Sequence, residues 1–129
     1  MGSSRRVSRL SLPFLGLLLG CAPAMSTIGT EPVVTERLYL GRNIGDTLGV
    51  TDSTWSVFVR DVVGARLPGG FTFWKAEGQG REPSFVLEVV HPARSADTDA
   101  AIRAIITEYK RRFSQQSVLR VVTAGRAIY

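Results

Sequence analysis

The sequence predicts an α+β fold, a ferredoxin-like βαββαβ sandwich. In it a four-stranded antiparallel sheet, order 4-1-3-2, carries two helices on one face. Three observations predict it. Two segments, around Trp55–Val62 and Ile102–Phe113, repeat apolar residues at i, i+3, i+4 and i+7. Four shorter segments alternate at the period of a strand. Their order along the chain suits right-handed crossovers and a central hairpin, which leads to the split βαβ sheet.

The elements follow in order. Arg37 to Gly41 sets Leu38 and Leu40 against Arg37 and Tyr39, a short strand. Gly41 to Gly49 reads as a loop, with Asn43, Gly45 and Asp46. Thr51 or Asp52 caps the first helix, whose stripe is Trp55, Phe58, Val59 and Val62. Gly64, or the approach to Pro68, ends it. Pro68-Gly69-Gly70 is a turn. Phe71 to Gln79 and Ser84 to Val90 form a hairpin across Gly78-Gln79-Gly80, and His91-Pro92 stops its second strand. Ser95 caps the second helix, with Asp97 and Asp99 in its first turn. Its stripe is Ile102, Ile105, Ile106, Tyr109 and Phe113, and Lys110, Arg111 and Arg112 suit its negative end. Ser117 to Thr123 is the fourth strand, and Ala124 to Tyr129 a tail.

The amino-terminal segment has a different character. Arg5, Arg6 and Arg9 precede an apolar run from Leu10 to Leu19. That run is roughly 10 residues, against about 20 needed to span a bilayer core, so it reads as an export signal. Arg5-Arg6 raises the twin-arginine route, but Ser8 and Arg9 suit that motif poorly, which favours general export. The run ends in Leu18-Leu19-Gly20-Cys21, which resembles the lipobox of bacterial lipoproteins. The resemblance implies a diacylglyceryl group on the Cys21 sulfur, cleavage before Cys21 and acylation of the new amine. Residues 1–20 are then a signal peptide, 21–35 a lipidated cysteine with a flexible tether, and 36–129 one domain. Ala22, where an aspartate would hold the chain at the inner membrane, implies the outer membrane in a Gram-negative host. The membrane, through the lipid, is thus the expected partner.

Charge excludes a class of function. The formal net charge of +5 includes the three signal arginines, so the remainder is only weakly basic. A nucleic-acid partner needs a dense basic footprint, and none is expected. Cys21 is the only cysteine, which leaves no disulfide within the chain. His91 is the only histidine, so no histidine pair can hold zinc. No metal and no cofactor is expected. His91 is a weak catalytic candidate, favoured instead as a hydrogen-bonded residue at a strand end. No G-x-S-x-G turn supplies a nucleophile.

The expected sandwich leaves one sheet face uncovered. Period two places Leu38, Leu40, Leu87, Val89, Leu119 and Val121 toward the helices. The open face then carries Arg37, Tyr39, Val86, Glu88, Val118, Arg120 and Val122. Strand two adds either Phe73, Lys75 and Glu77, or Trp74 and Ala76. Arg120, Tyr39 and Glu88 would sit on neighbouring strands and form, with Arg37 and Trp74, the candidate partner or ligand face. Its valines are uncomfortable in water as one patch, which favours a homodimer through the sheet or burial by an envelope partner.

From Glu36 to Val122 the chain resembles the bacterial family called domain of unknown function 3574. The resemblance is carried by Arg37-Leu38-Tyr39-Leu40-Gly41, Pro68-Gly69-Gly70-Phe71-Thr72, Gly78-Gln79, Glu82-Pro83-Ser84, Leu87-Glu88, Val90-His91-Pro92, Tyr109-Lys110, Arg112-Phe113 and Gln115 through Arg120. It implies a small secreted or lipid-anchored envelope protein and adds no activity. The functional expectation is a non-enzymatic binding or accessory module that uses the open face. The alternative is a ligand-binding or enzymatic dimeric barrel, with a cavity between two sheet faces lined by Tyr39, Glu88, Arg120 and His91.

Overall fold

The computed structural model describes Gly2 and residues 29–129. Its main sheet contains β1 (Thr30–Gly41), β4 (Thr72–Glu77), β5 (Pro83–Pro92) and β6 (Leu119–Ile128). Every neighbouring pair is antiparallel, and the order is β4-β5-β1-β6. Written by strand number this differs from the expected 4-1-3-2, because a hairpin of β2 (Asn43–Ile44) and β3 (Thr47–Leu48) fills the predicted loop. Gly45, at φ +63°, makes its turn, and Gly49 lets Ile44 approach its backbone.

Two helical segments cover one face. The first runs without a break through α1 (Asp52–Phe58), a π-helical turn (Val59–Val63) and α2 (Gly64–Arg66). Thr51 caps it, its Oγ1 accepting from the Thr54 N–H. The run passes through Gly64 and ends at Arg66, because Leu67 precedes Pro68 and proline drives its predecessor out of the helical region. The second helix is α3 (Ala96–Arg112), capped by Ser95.

The core lies between these layers. Leu38 and Leu40 of β1, and Phe85, Leu87 and Val89 of β5, meet Trp55, Phe58, Val62, Ile102, Ile105 and Tyr109. Both helical stripes are thus buried, as their spacing predicts. The Tyr109 hydroxyl donates to the Gly41 carbonyl at 2.7 Å, tying α3 to the end of β1. Arg42 lies 4.4 Å over the Phe85 ring and bonds the Val50 carbonyl and Asp52, which pins the hairpin to the start of α1.

Three boundaries differ from the sequence reading. β1 begins at Thr30, so residues 30–35, expected in the tether, are strand. Their partners are Thr123–Ile128, most of which were expected to form a tail. Neither half has a strong pattern alone; each is a strand because the other pairs with it. β5 continues through His91 and Pro92. The Ala93 N–H donates to Pro32 of β1, so Pro92, one residue earlier, points toward the β4 side. β4 pairing starts only at Thr72 opposite Glu88, so no bond there requires a Pro92 N–H.

Candidate functional site: the uncovered sheet face

The register builds the uncovered face row by row. Trp74, Val86, Tyr39 and Leu119 lie opposite one another across β4, β5, β1 and β6. Partners in an antiparallel pair project to the same side, so these four form one apolar row spanning the sheet. Trp74 is 41% exposed, Tyr39 39% and Leu119 61%, whereas Val86 between them is buried. Strand two therefore contributes Trp74 and Ala76, of the two sets its alternation allowed, while Phe73 packs edge-on against Trp55.

The next row is Thr72, Glu88, Arg37 and Val121. Arg37 Nε donates to Glu88 Oε2 at 2.5 Å. The hydrogen bond that Arg37 donates to the Glu88 carboxylate raises the pKa of Arg37 above its ordinary value. Val90 and Val121, both exposed, add to the apolar character. The face thus combines a greasy band with one neutralised ion pair.

Arg120 is not on this face. It pairs with Leu38, whose side chain is in the core, so Arg120 projects toward the helices, while Leu119 and Val121 take the open side. The segment Val118-Leu119-Arg120-Val121-Val122 is apolar at both parities, so alternation there does not choose a face. Satisfaction of the charge does. Arg120 donates through Nη2 to Glu36 Oε1 at 2.8 Å and to Asp99 Oδ1 at 2.6 Å, and its Nε bonds Glu36 Oε2. Glu36 is only 2% exposed. Burial alone would raise its pKa, but hydrogen bonds from Arg120 and His91 outweigh that and lower it. The hydrogen bond from Arg120, with the nearby charge of Arg103, lowers Asp99 as well.

His91 belongs to the same buried cluster. Nε2 lies 3.1 Å from Glu36 Oε1, and Nδ1 lies 2.9 Å from the Pro92 carbonyl. Both ring nitrogens thus face acceptors. One edge of His91 borders a cavity of about 330 Å³, walled by the Leu67–Gly70 turn, the end of β5 and the first turn of α3. Among the described residues no group of three His, Cys, Asp or Glu is placed to hold a metal ion.

The sheet therefore separates the expected constellation. Tyr39, Glu88, Arg37 and Trp74 share the open face, while Arg120 and His91 sit behind it. Glu36, and Asp99 from the first turn of α3, complete the buried cluster, although the sequence marked neither as a site residue. The signal for Glu36 was available: period two from Leu38 and Leu40 aims it into the helix-facing layer, where a carboxylate needs a cation. Leu18, Leu19, Gly20 and Cys21 lie outside the described residues.

The model of a family described as "protein of unknown function (DUF3574)" matches residues 35–129. The chain belongs to this family. No curated protein matches it. Among solved structures, a phage SAM lyase in complex with S-methyl-5'-thioadenosine is similar to this chain at a TM-score of 0.51 and 18% identity. The match covers 81% of this chain and 95% of the lyase. A putative PII-like signaling protein from Thermus thermophilus is similar at a TM-score of 0.45 and 16% identity, over 77% of this chain and 91% of that one. At such identities the likeness to the lyase speaks to fold alone. The DUF3574 chain is an α+β protein with a four-stranded antiparallel sheet and two helical segments. Among its described residues, no helix is long and apolar enough to cross a membrane.

Proposed function

We propose that this DUF3574 chain is a lipid-anchored accessory module of the bacterial cell envelope, built as a ferredoxin-like sandwich, that docks through its uncovered sheet face. The row Trp74–Val86–Tyr39–Leu119 carries the reading. Apolar surface costs about 25 cal/mol per Å² when left in water. Exposed apolar side chains on all four strands, Trp74, Val90, Tyr39, Leu119 and Val121, are therefore surface for another molecule to cover. A catalytic reading through Tyr39, Glu88, Arg120 and His91 loses its basis, because the sheet lies between the first two and the last two.

The anchor rests on Leu18-Leu19-Gly20-Cys21. Two or three acyl chains, at about 0.8 kcal/mol per buried methylene, hold a protein on a membrane where one chain does so only marginally. Cys21→Ser is expected to move the chain out of the outer-membrane fraction, as read by fractionation and immunoblotting. An unchanged distribution, with an unmodified amino terminus by mass spectrometry, excludes lipid anchoring.

Docking is tested in cells with a photo-crosslinking amino acid. At Leu119, on the row, it is expected to give protein adducts. At Ala104, exposed on α3, it is expected to give none. Adducts at neither position, or equally at both, overturn the docking function.

A further inference from the structure

We infer that the molecule covering this face is another copy of the same chain. The inference rests on the docking reading above and names its partner. Its first support is charge. The two central rows, with Thr35, Val90 and Thr123 beside them, contain one arginine and one carboxylate, Arg37 and Glu88, already paired at 2.5 Å. A face shaped for anionic lipid would be cationic, and one shaped for a strongly charged partner would carry a single sign. This face is neutral and carries both signs side by side. Turned about a two-fold axis, it presents Glu88 to Arg37 and Arg37 to Glu88, so it complements itself. The same operation lays each apolar row against its equivalent.

The second support is size. Four strands about 4.8 Å apart, along a ten-residue β5 at about 3.3 Å per residue, give a footprint on the order of 600 Å². Side-chain relief brings this toward the ~800 Å² of accessible surface per partner that a stable interface buries. The anchors also suit an interface centre: Trp74 and Tyr39 are large rings with few rotamers to freeze, and both are held by a rigid sheet.

The test uses full chains. Two differently tagged copies are co-expressed, extracted in detergent and purified through one tag. The second tag is expected to copurify. Leu119→Asp is expected to cut the recovered share at least about tenfold, since each copy would bury an unpaired carboxylate. Leu119 is already exposed, so the change leaves the fold intact, and an unaltered thermal melt verifies this. Ala104→Asp is expected to have no effect. If the tags separate while Leu119 photo-adducts contain a different envelope protein, self-association is overturned and docking stands. If the tags separate and no adduct forms, both fall. Equal loss from Leu119→Asp and Ala104→Asp also overturns the inference.

Discussion

Arg120→Met is expected to lower the unfolding free energy by about 3 kcal/mol, the penalty for leaving one member of a buried ion pair alone. The urea midpoint should fall while the slope stays constant. Glu36 has almost no access to water, and Arg120 contributes two of the three nitrogens that bond its carboxylate. Without the guanidinium only His91 remains to answer that charge. The double replacement Glu36→Leu with Arg120→Met should recover most of the loss, because an apolar pair of similar volume carries no desolvation penalty. A double variant no more stable than the single one would show that Arg120 acts by packing. Acid gives a second readout. Glu36 and Asp99 both have folded pKa values below their ordinary values of 4.5 and 3.8. Lowered carboxylates stabilise the folded state above their unfolded pKa. That contribution is lost as pH falls through the lower, folded values. The Arg120→Met chain should therefore show a shallower loss of stability below about pH 4.5 than the parent.

The same residues show which parts of the molecule the sequence made legible. Trp55, Phe58 and Val62, like Ile102, Ile105 and Tyr109, announce their helices because a 3.6-residue period is a local property. β1 is legible at its core end for a similar reason, since Leu38 and Leu40 alternate with charged or ring-bearing neighbours. β6 is not, because consecutive valines and a leucine flank Arg120 and fit either parity. The ion-pair geometry with Glu36 and Asp99 fixed its direction, and those carboxylates lie on other elements. The paired arms, residues 30–36 and 124–128, are invisible to local reading because each depends on a partner far away along the chain. Trp74 was legible to within one residue: alternation showed that either it or Phe73 faced outward, and the packing of Phe73 against Trp55 decided between them. The share of the candidate face on β1, β5 and, to within one residue, β4 was therefore accessible from strand parity. The share supplied by β6 required long-range pairing.

Trp55→Ala is expected to be the most damaging single change in the chain, at about 4 kcal/mol, while Trp55→Phe should cost less than about 1 kcal/mol. Trp55 is 2% exposed and stacks on Phe85 with centroids 4.2 Å apart and planes 9° from parallel. Phe58, Phe73 and Tyr109 surround the same indole. Truncation to alanine removes the centre of this aromatic cluster, and the rigid rings around it cannot collapse into the space. The gentler substitution separates the ring from its polar atom. The indole Nε1–H is buried and has no hydrogen-bond partner among the described residues. An unsatisfied donor of that kind costs about 1–3 kcal/mol, and phenylalanine abolishes it while keeping a ring to stack on Phe85. The loss of one fused ring and the removal of the orphaned donor act in opposite directions. Chemical denaturation of both variants distinguishes the contributions. Similar large losses for Phe and Ala would mean that the Nε1–H is satisfied in solution and contributes to stability. A near-parental Trp55→Phe would identify shape, not polarity, as the reason for a tryptophan at the centre of the fold.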